Sequence, residues 1–182
     1  MKMNREGKSV KDMTIMGAVL AFVCILSAVP LGINILGVAA TLQTFAIAFA
    51  GFVLGAKRGA AVAALYVVIG LILPVYSNMT SGFGILLGPT GGFLFGFILL
   101  ACLCGLTWRF KHFLAKVGLA MAGIAVCHGL GLLQFVLVTD MDAVGAVLAV
   151  SLPYLPKDIL MLGLAWMVAQ PVRRSLKWLM KS

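Results

Sequence analysis

Few side chains in this 182-residue chain can do chemistry, and Asp158, one of only five acidic residues, stands beside Lys157 at the start of the last long apolar run. A carboxylate offers acceptors and an ammonium offers donors, and neither is stable in an apolar setting without partners. Other polar groups cluster at the ends of other apolar runs. Thr41, Gln43 and Thr44 open one, Asn78 lies between two, and Gly91 and Gly92 open another with backbone N–H groups of the kind that meet anions. Tyr76, Phe83, Phe93 and Tyr154 are aromatic residues on or beside the same connections and suit the walls of an apolar slot. This inventory suits recognition rather than catalysis. No carboxylate–histidine constellation is visible, and His128, inside an apolar run, reads as a packing residue. Plainer readings stand beside each residue. Asp158 also suits a helix N-terminus, Lys157 a solvated interface, Tyr154 an interfacial anchor, and Thr41, Gln43 and Thr44 bonds to neighbouring helices.

The elements that must position these groups follow from composition. The chain is 63% hydrophobic and 10% charged, with a mean hydropathy of +1.14. A soluble domain is about half apolar and about a quarter charged. The composition therefore predicts an integral membrane protein, and residues 1–182 leave room for a single membrane domain. The net charge of +9 does not indicate nucleic acid, because the basic residues fall in clusters between apolar runs. Cys24, Cys102, Cys104 and Cys127 all lie inside such runs and lack zinc-site spacing. No metal or cofactor is expected. The basic residues before the first run imitate a leader, but Ser27-Ala28-Val29 before Pro30 is a poor cleavage site, and none is expected. Gly7-Lys8-Ser9 lacks the first glycine and the preceding strand of a phosphate-binding loop, so no ATPase is read here.

Six runs are long enough for transmembrane helices, at roughly 13–29, 41–56, 59–73, 91–108, 117–138 and 156–172. At about 1.5 Å per residue these cover about 23–33 Å. Residues 31–40 read as an apolar extension of the first helix, and 143–152 as a half-helix lying at the surface. With the N-terminus inside, thirteen of the fourteen basic residues fall in cytoplasmic segments, and Lys157 is the exception. That asymmetry predicts an all-α bundle of six helices with both termini in the cytoplasm of a cell-membrane protein. The outer connections, 30–40, 74–90 and 139–155, are then the irregular ones, and irregular connections on a rigid scaffold carry function. Between Pro74 and Gly96 no residue is charged, and eight of the 23 are glycine or proline. Backbone this irregular is tolerated at membrane depth only where it lines a cavity or is buried in protein. A stripe of small residues, Gly17, Ala21, Cys24 and Ala28, runs along the first helix and serves either packing within the bundle or docking of a partner.

Four motifs carry a resemblance over nearly the whole chain. They are Thr41-Leu42-Gln43-Thr44-Phe45, Lys57-Arg58-Gly59, Gly88-Pro89-Thr90-Gly91-Gly92-Phe93 and Leu155-Pro156-Lys157-Asp158. In this order and spacing the sequence resembles the BioY family, the biotin-binding S components of energy-coupling factor (ECF) transporters. The resemblance implies a six-helix S-component bundle with a substrate site near the outer face. It also implies a vitamin-uptake function, with a transmembrane coupling subunit and two cytoplasmic ATPases as partners and with Gly17 and Ala21 at the docking face. For biotin, Asp158 would accept from the urea N–H groups and Asn78 would donate and accept. Gln43, Thr41 and Thr44 would add polar groups, and Tyr76, Phe83, Phe93 and Tyr154 would wall the ring. Lys157 or the N–H groups of Gly91 and Gly92 would take the carboxylate. The family pattern places a lysine three residues after the acid, where this chain has Met161. That departure keeps open a different small heterocycle or acid as ligand. A solitary permease working without ATPases is the alternative of another class.

Overall fold

A computed structural model describes residues 5–35 and 38–179, with side chains over 10–29 and 41–176. Six helices of 12 residues or more follow in order: α1 (Arg5–Ala28), α2 (Gln43–Leu54), α3 (Ala56–Ile69), α5 (Gly91–Leu106), α6 (Phe113–Thr139) and α8 (Leu155–Leu179). Single-turn helices α4 (Phe83–Leu86) and α7 (Ala143–Ala146) sit in the connections. The architecture is the helical membrane bundle that the apolar runs predict. By length and hydropathy, α1, α5 and α6 can each cross a membrane, and α8 with the bent segment before it makes a fourth. The other two, α2 and α3, are shorter, at 12 and 14 residues.

Helix α2 is the axis of the bundle, packing on α1, α3, α5 and α8. Beyond Gln43 and Thr44 its sequence, FAIAFAGFVL, is apolar on every side, which is what an enclosed helix requires. Small residues let its neighbours approach. A Cβ added to Gly51 would lie 2.2 Å from the carbonyl oxygen of Ala101 on α5, so only glycine permits that crossing. Gly55, at φ 84°, then reverses the chain directly into α3.

Residues 31–40 do not extend the first helix. They belong to an antiparallel hairpin, β1 (Pro30–Ile35) and β2 (Val38–Thr41), with Asn34 opposite Ala39 and Ile35 opposite Val38. Pro30 accounts for the correction: it disfavours helix at the residue before it, and β-branched Ile33, Ile35 and Val38 favour strand. Residues 143–152 form α7 and a π-helical turn, Val147–Ser151, as a partial helix. It does not simply lie on the surface, since Ala146, Ala149 and Val150 bury against Phe135 of α6.

The two ends of the bundle differ in chemistry. At one end Arg58 of α3 pairs with Asp12 of α1. At the same end Arg173 of α8 donates to the carbonyl oxygens of Phe52 (3.0 Å) and Val53 (2.7 Å), capping α2. The hairpin, the breaker-rich loop and the start of α8 share the opposite end, which holds the cavity described next.

Candidate functional site

Asp158 sits in the first turn of α8, where the helix dipole favours an anion, and is only 6% exposed. Three side chains from three other positions converge on it. Thr44 Oγ1 of α2 donates to Oδ1 at 2.6 Å, and Lys157 Nζ lies 2.6 Å from the same oxygen. His128 Nε2 of α6 lies 3.0 Å from Oδ2. An ionised carboxylate only accepts, so Nε2 carries the proton and donates. The other ring nitrogen, Nδ1, is 2.8 Å from Ser151 Oγ, which orients the imidazole as a second partner does for a ligating histidine. Buried charge is thus paired and hydrogen-bonded.

The network is satisfied but not saturated. Two carboxylate oxygens have about four lone-pair positions, so three donors leave about one for a ligand. Lys157 spends one N–H on Asp158 and one on the Thr41 carbonyl oxygen at 3.2 Å. An ammonium has three, so one remains for an anion.

These groups line a cavity of about 180 Å³. Of the residues singled out in the sequence, Thr41, Gln43, Thr44, Tyr76, Asn78, Phe93, Tyr154, Lys157 and Asp158 are on its wall. Gln43 is committed to protein: its amide donates to Tyr66 Oη at 2.7 Å and accepts from Thr41 Oγ1 at 3.0 Å. Tyr76 is buried, donates to the Val67 carbonyl oxygen at 2.5 Å and meets Tyr66 edge-on, and burial pushes its phenol pKa up. It is a rigid wall, anchored at its polar tip. Asn78 is exposed at the rim with φ 58°, a left-handed conformation that asparagine tolerates better than most residues. Phe93 stands edge-on to His128, with ring centroids 5.6 Å apart.

Three expectations about the wall are corrected. Phe83 is 65% exposed and off the cavity. In the single turn of α4, two residues on from Phe83 is roughly the opposite side, and Ile85 is the residue that lines the cavity. Gly91 and Gly92 do not reach it either. The Gly91 N–H is spent on the Gly88 carbonyl oxygen at 3.1 Å. A Cβ on Gly92 would lie 2.1 Å from the Leu130 carbonyl oxygen, so this glycine lets α5 close on α6. The breaker-rich loop is then tied down by Gln134 of α6, whose amide donates to the carbonyl oxygens of Leu86 (2.9 Å) and Gly88 (2.7 Å).

The sequence reading missed His128 as a partner of Asp158. The two are 30 residues apart and meet only because α6 and the start of α8 converge. The available signal was an ionisable side chain inside an apolar run, which marks function by default in a membrane protein. Met161 is half-buried and off the cavity. On α1, Gly17 and Ala21 are exposed, and a Cβ on Gly17 would meet nothing within 4 Å, so the bundle itself does not use them.

A sequence profile of the BioY family matches residues 1–178. The chain belongs to the BioY family. Among its relatives, the biotin transporter BioY of Rhodobacter capsulatus is 32% identical, over 89% of this chain and 93% of that one. The biotin transporter BioY of Thermotoga maritima is 35% identical, over 74% of this chain and 80% of that one. In fold, the chain is similar to the solved S-component for biotin from an ECF-type ABC transporter, with a TM-score of 0.80 over 97% of this chain and 95% of that one, at 24% identity. BioY proteins are membrane transport proteins, and the apolar helices of this chain fit a multi-pass member.

Proposed function

We propose that this BioY-family chain captures biotin at the outer face of a cell membrane, as the S component of an ECF transporter. All six long helices cross the membrane in this reading, with both termini in the cytoplasm. A transmembrane coupling subunit and two cytoplasmic ATPases complete the transporter and supply the energy. Biotin is the substrate, and the chain needs no cofactor of its own.

The observation that carries the reading is the partly unsatisfied cluster around Asp158, in a cavity at the end of the bundle away from Arg58 and Arg173. Biotin has an apolar bicyclic ring, a cyclic urea and a carboxylate on a flexible tail. A urea N–H takes the remaining acceptor position on Asp158, the Asn78 amide serves the urea, and Phe93, Tyr76 and Tyr154 flank the ring. The carboxylate tail takes the remaining N–H of Lys157. Met161, in place of the lysine of the family pattern, favours a second reading, in which a related heterocycle or acid fills the same cavity. Competition by a vitamin panel against bound biotin separates the two.

Uptake of labelled biotin tests the transporter reading. Cells carrying this chain together with a coupling subunit and ATPases should accumulate biotin, and cells carrying the chain alone should not. Gly17→Leu places a bulky side chain on the exposed α1 stripe, where nothing in the bundle opposes it. Binding should be unchanged while uptake falls roughly tenfold or more, because helices in lipid associate through close approach of small residues. Full uptake by the chain alone would favour the solitary permease.

A further inference from the structure

Away from the cavity, α6 and α8 leave an apolar groove of about 230 Å³ between them, floored by Phe52 of α2 and walled by Val117, Met121, Leu162 and Trp166. Its rim is open: Phe113 is 67% exposed and Ile159 44%. A cation stands at one end. Lys116 Nζ lies 5.9 and 5.8 Å from the ring centroids of Trp108 and Trp166, which stack on each other at 4.9 Å. The Arg173 guanidinium is 4.7 Å from the Trp108 centroid, and its Nε is buried without a hydrogen-bond partner. Among the described residues no acid pairs with Lys116 or Arg173. Lys116, without an acidic partner, therefore marks the end of a groove that is otherwise apolar, and Arg173 adds positive charge on the Trp108 face behind it.

We propose that this groove holds an anionic phospholipid of the cytoplasmic leaflet, with its phosphate at Lys116 and one acyl chain lying between α6 and α8. The positions fit that occupant. Lys116 lies in the first turn of α6, at the end where the basic residues gather, which is headgroup depth for the inner leaflet. The groove runs from there towards Ile159, near the other end of α8, along the direction an acyl chain takes in a bilayer. A phosphate at its mouth supplies the missing counter-charge, and basic pockets between transmembrane helices select anionic headgroups. The exposed small-residue stripe is on α1, which packs chiefly on α2 and α3, so a partner docked there leaves the groove to lipid.

Thermal unfolding of the delipidated protein in a non-ionic detergent tests this, with phosphatidylglycerol, phosphatidylcholine of the same chains, and soluble glycerophosphoglycerol as probes. Phosphatidylglycerol at about 100 times its Kd should raise Tm by roughly 5–10 °C. Phosphatidylcholine should do much less, and the chain-free headgroup almost nothing. Lys116→Gln should erase the difference between the two lipids. Gly163→Leu projects into the groove from a position where an added Cβ meets nothing within 4 Å, so it should blunt the response while leaving the lipid-free Tm close to that of the parent. Equal shifts from both lipids, a phosphatidylglycerol effect that survives Lys116→Gln, or equal stabilisation by the headgroup alone would each overturn the proposal. So would the absence of any lipid effect with Lys116 shielded from amine labelling only when the coupling subunit is bound, which would assign the groove to protein.

Discussion

Asp158→Asn should weaken biotin binding by about 3 kcal/mol, roughly 100-fold, while leaving the protein folded. The fold survives because the neighbours can re-pair. The asparagine oxygen still accepts from Thr44, and its NH2 group can face His128 if the imidazole changes tautomer, accepting at Nε2 and donating from Nδ1 to Ser151. What cannot be restored is the charge. Lys157, half-buried beside Asp158, loses its counter-ion, and the acceptor held for the ligand becomes a donor. Asp158→Ala removes the partner of three donors at once, and breaking a buried pair from one side costs about 3–5 kcal/mol. That variant should lose stability as well as binding. Titration calorimetry and thermal unfolding of both variants separate the two effects. Asparagine and alanine variants that bind as tightly as the parent would show that Asp158 only completes the helix terminus.

The second large effect concerns packing beneath the loop. Gly92→Val should cost about 3 kcal/mol of stability, or roughly 6–12 °C in Tm, because its Cβ would fall 2.1 Å from a backbone oxygen of α6 that has no room to yield. Biotin binding should fall with it, since Phe93 is the next residue and reaches the cavity. Gly84→Ala is the control. It lies in the same breaker-rich loop, but an added Cβ there meets nothing within 4 Å, so its Tm should stay within about 2 °C of the parent. If both variants melted alike, the loop's glycines would be serving flexibility rather than contact.

Hydropathy located the long helices because lipid-facing and buried surfaces are both apolar. The adjacency of Lys157 and Asp158 was visible, but a helix separates neighbours by about 100°, and only the side chains' reach brings Nζ within 2.6 Å of Oδ1. The role of His128 was not visible, since its partners Asp158 and Ser151 are set by tertiary approach. The exchange of Phe83 for Ile85 on the cavity wall depends on the phase of one helical turn, which glycines on either side leave unspecified. Residues 31–40 read as helix because apolar composition outweighed the break at Pro30.

In this account the Asp158 carboxylate, oriented by His128 of α6, and the Lys157 ammonium hold one biotin molecule without any partner subunit. Calorimetric titration of the purified chain alone, in detergent, with biotin and with biotin methyl ester tests it most directly. We expect saturable binding of one biotin per chain, and expect Lys157→Ala to weaken biotin by roughly tenfold more than the ester, because only the acid engages the free N–H of that lysine. No saturable binding of biotin at micromolar protein would contradict the account.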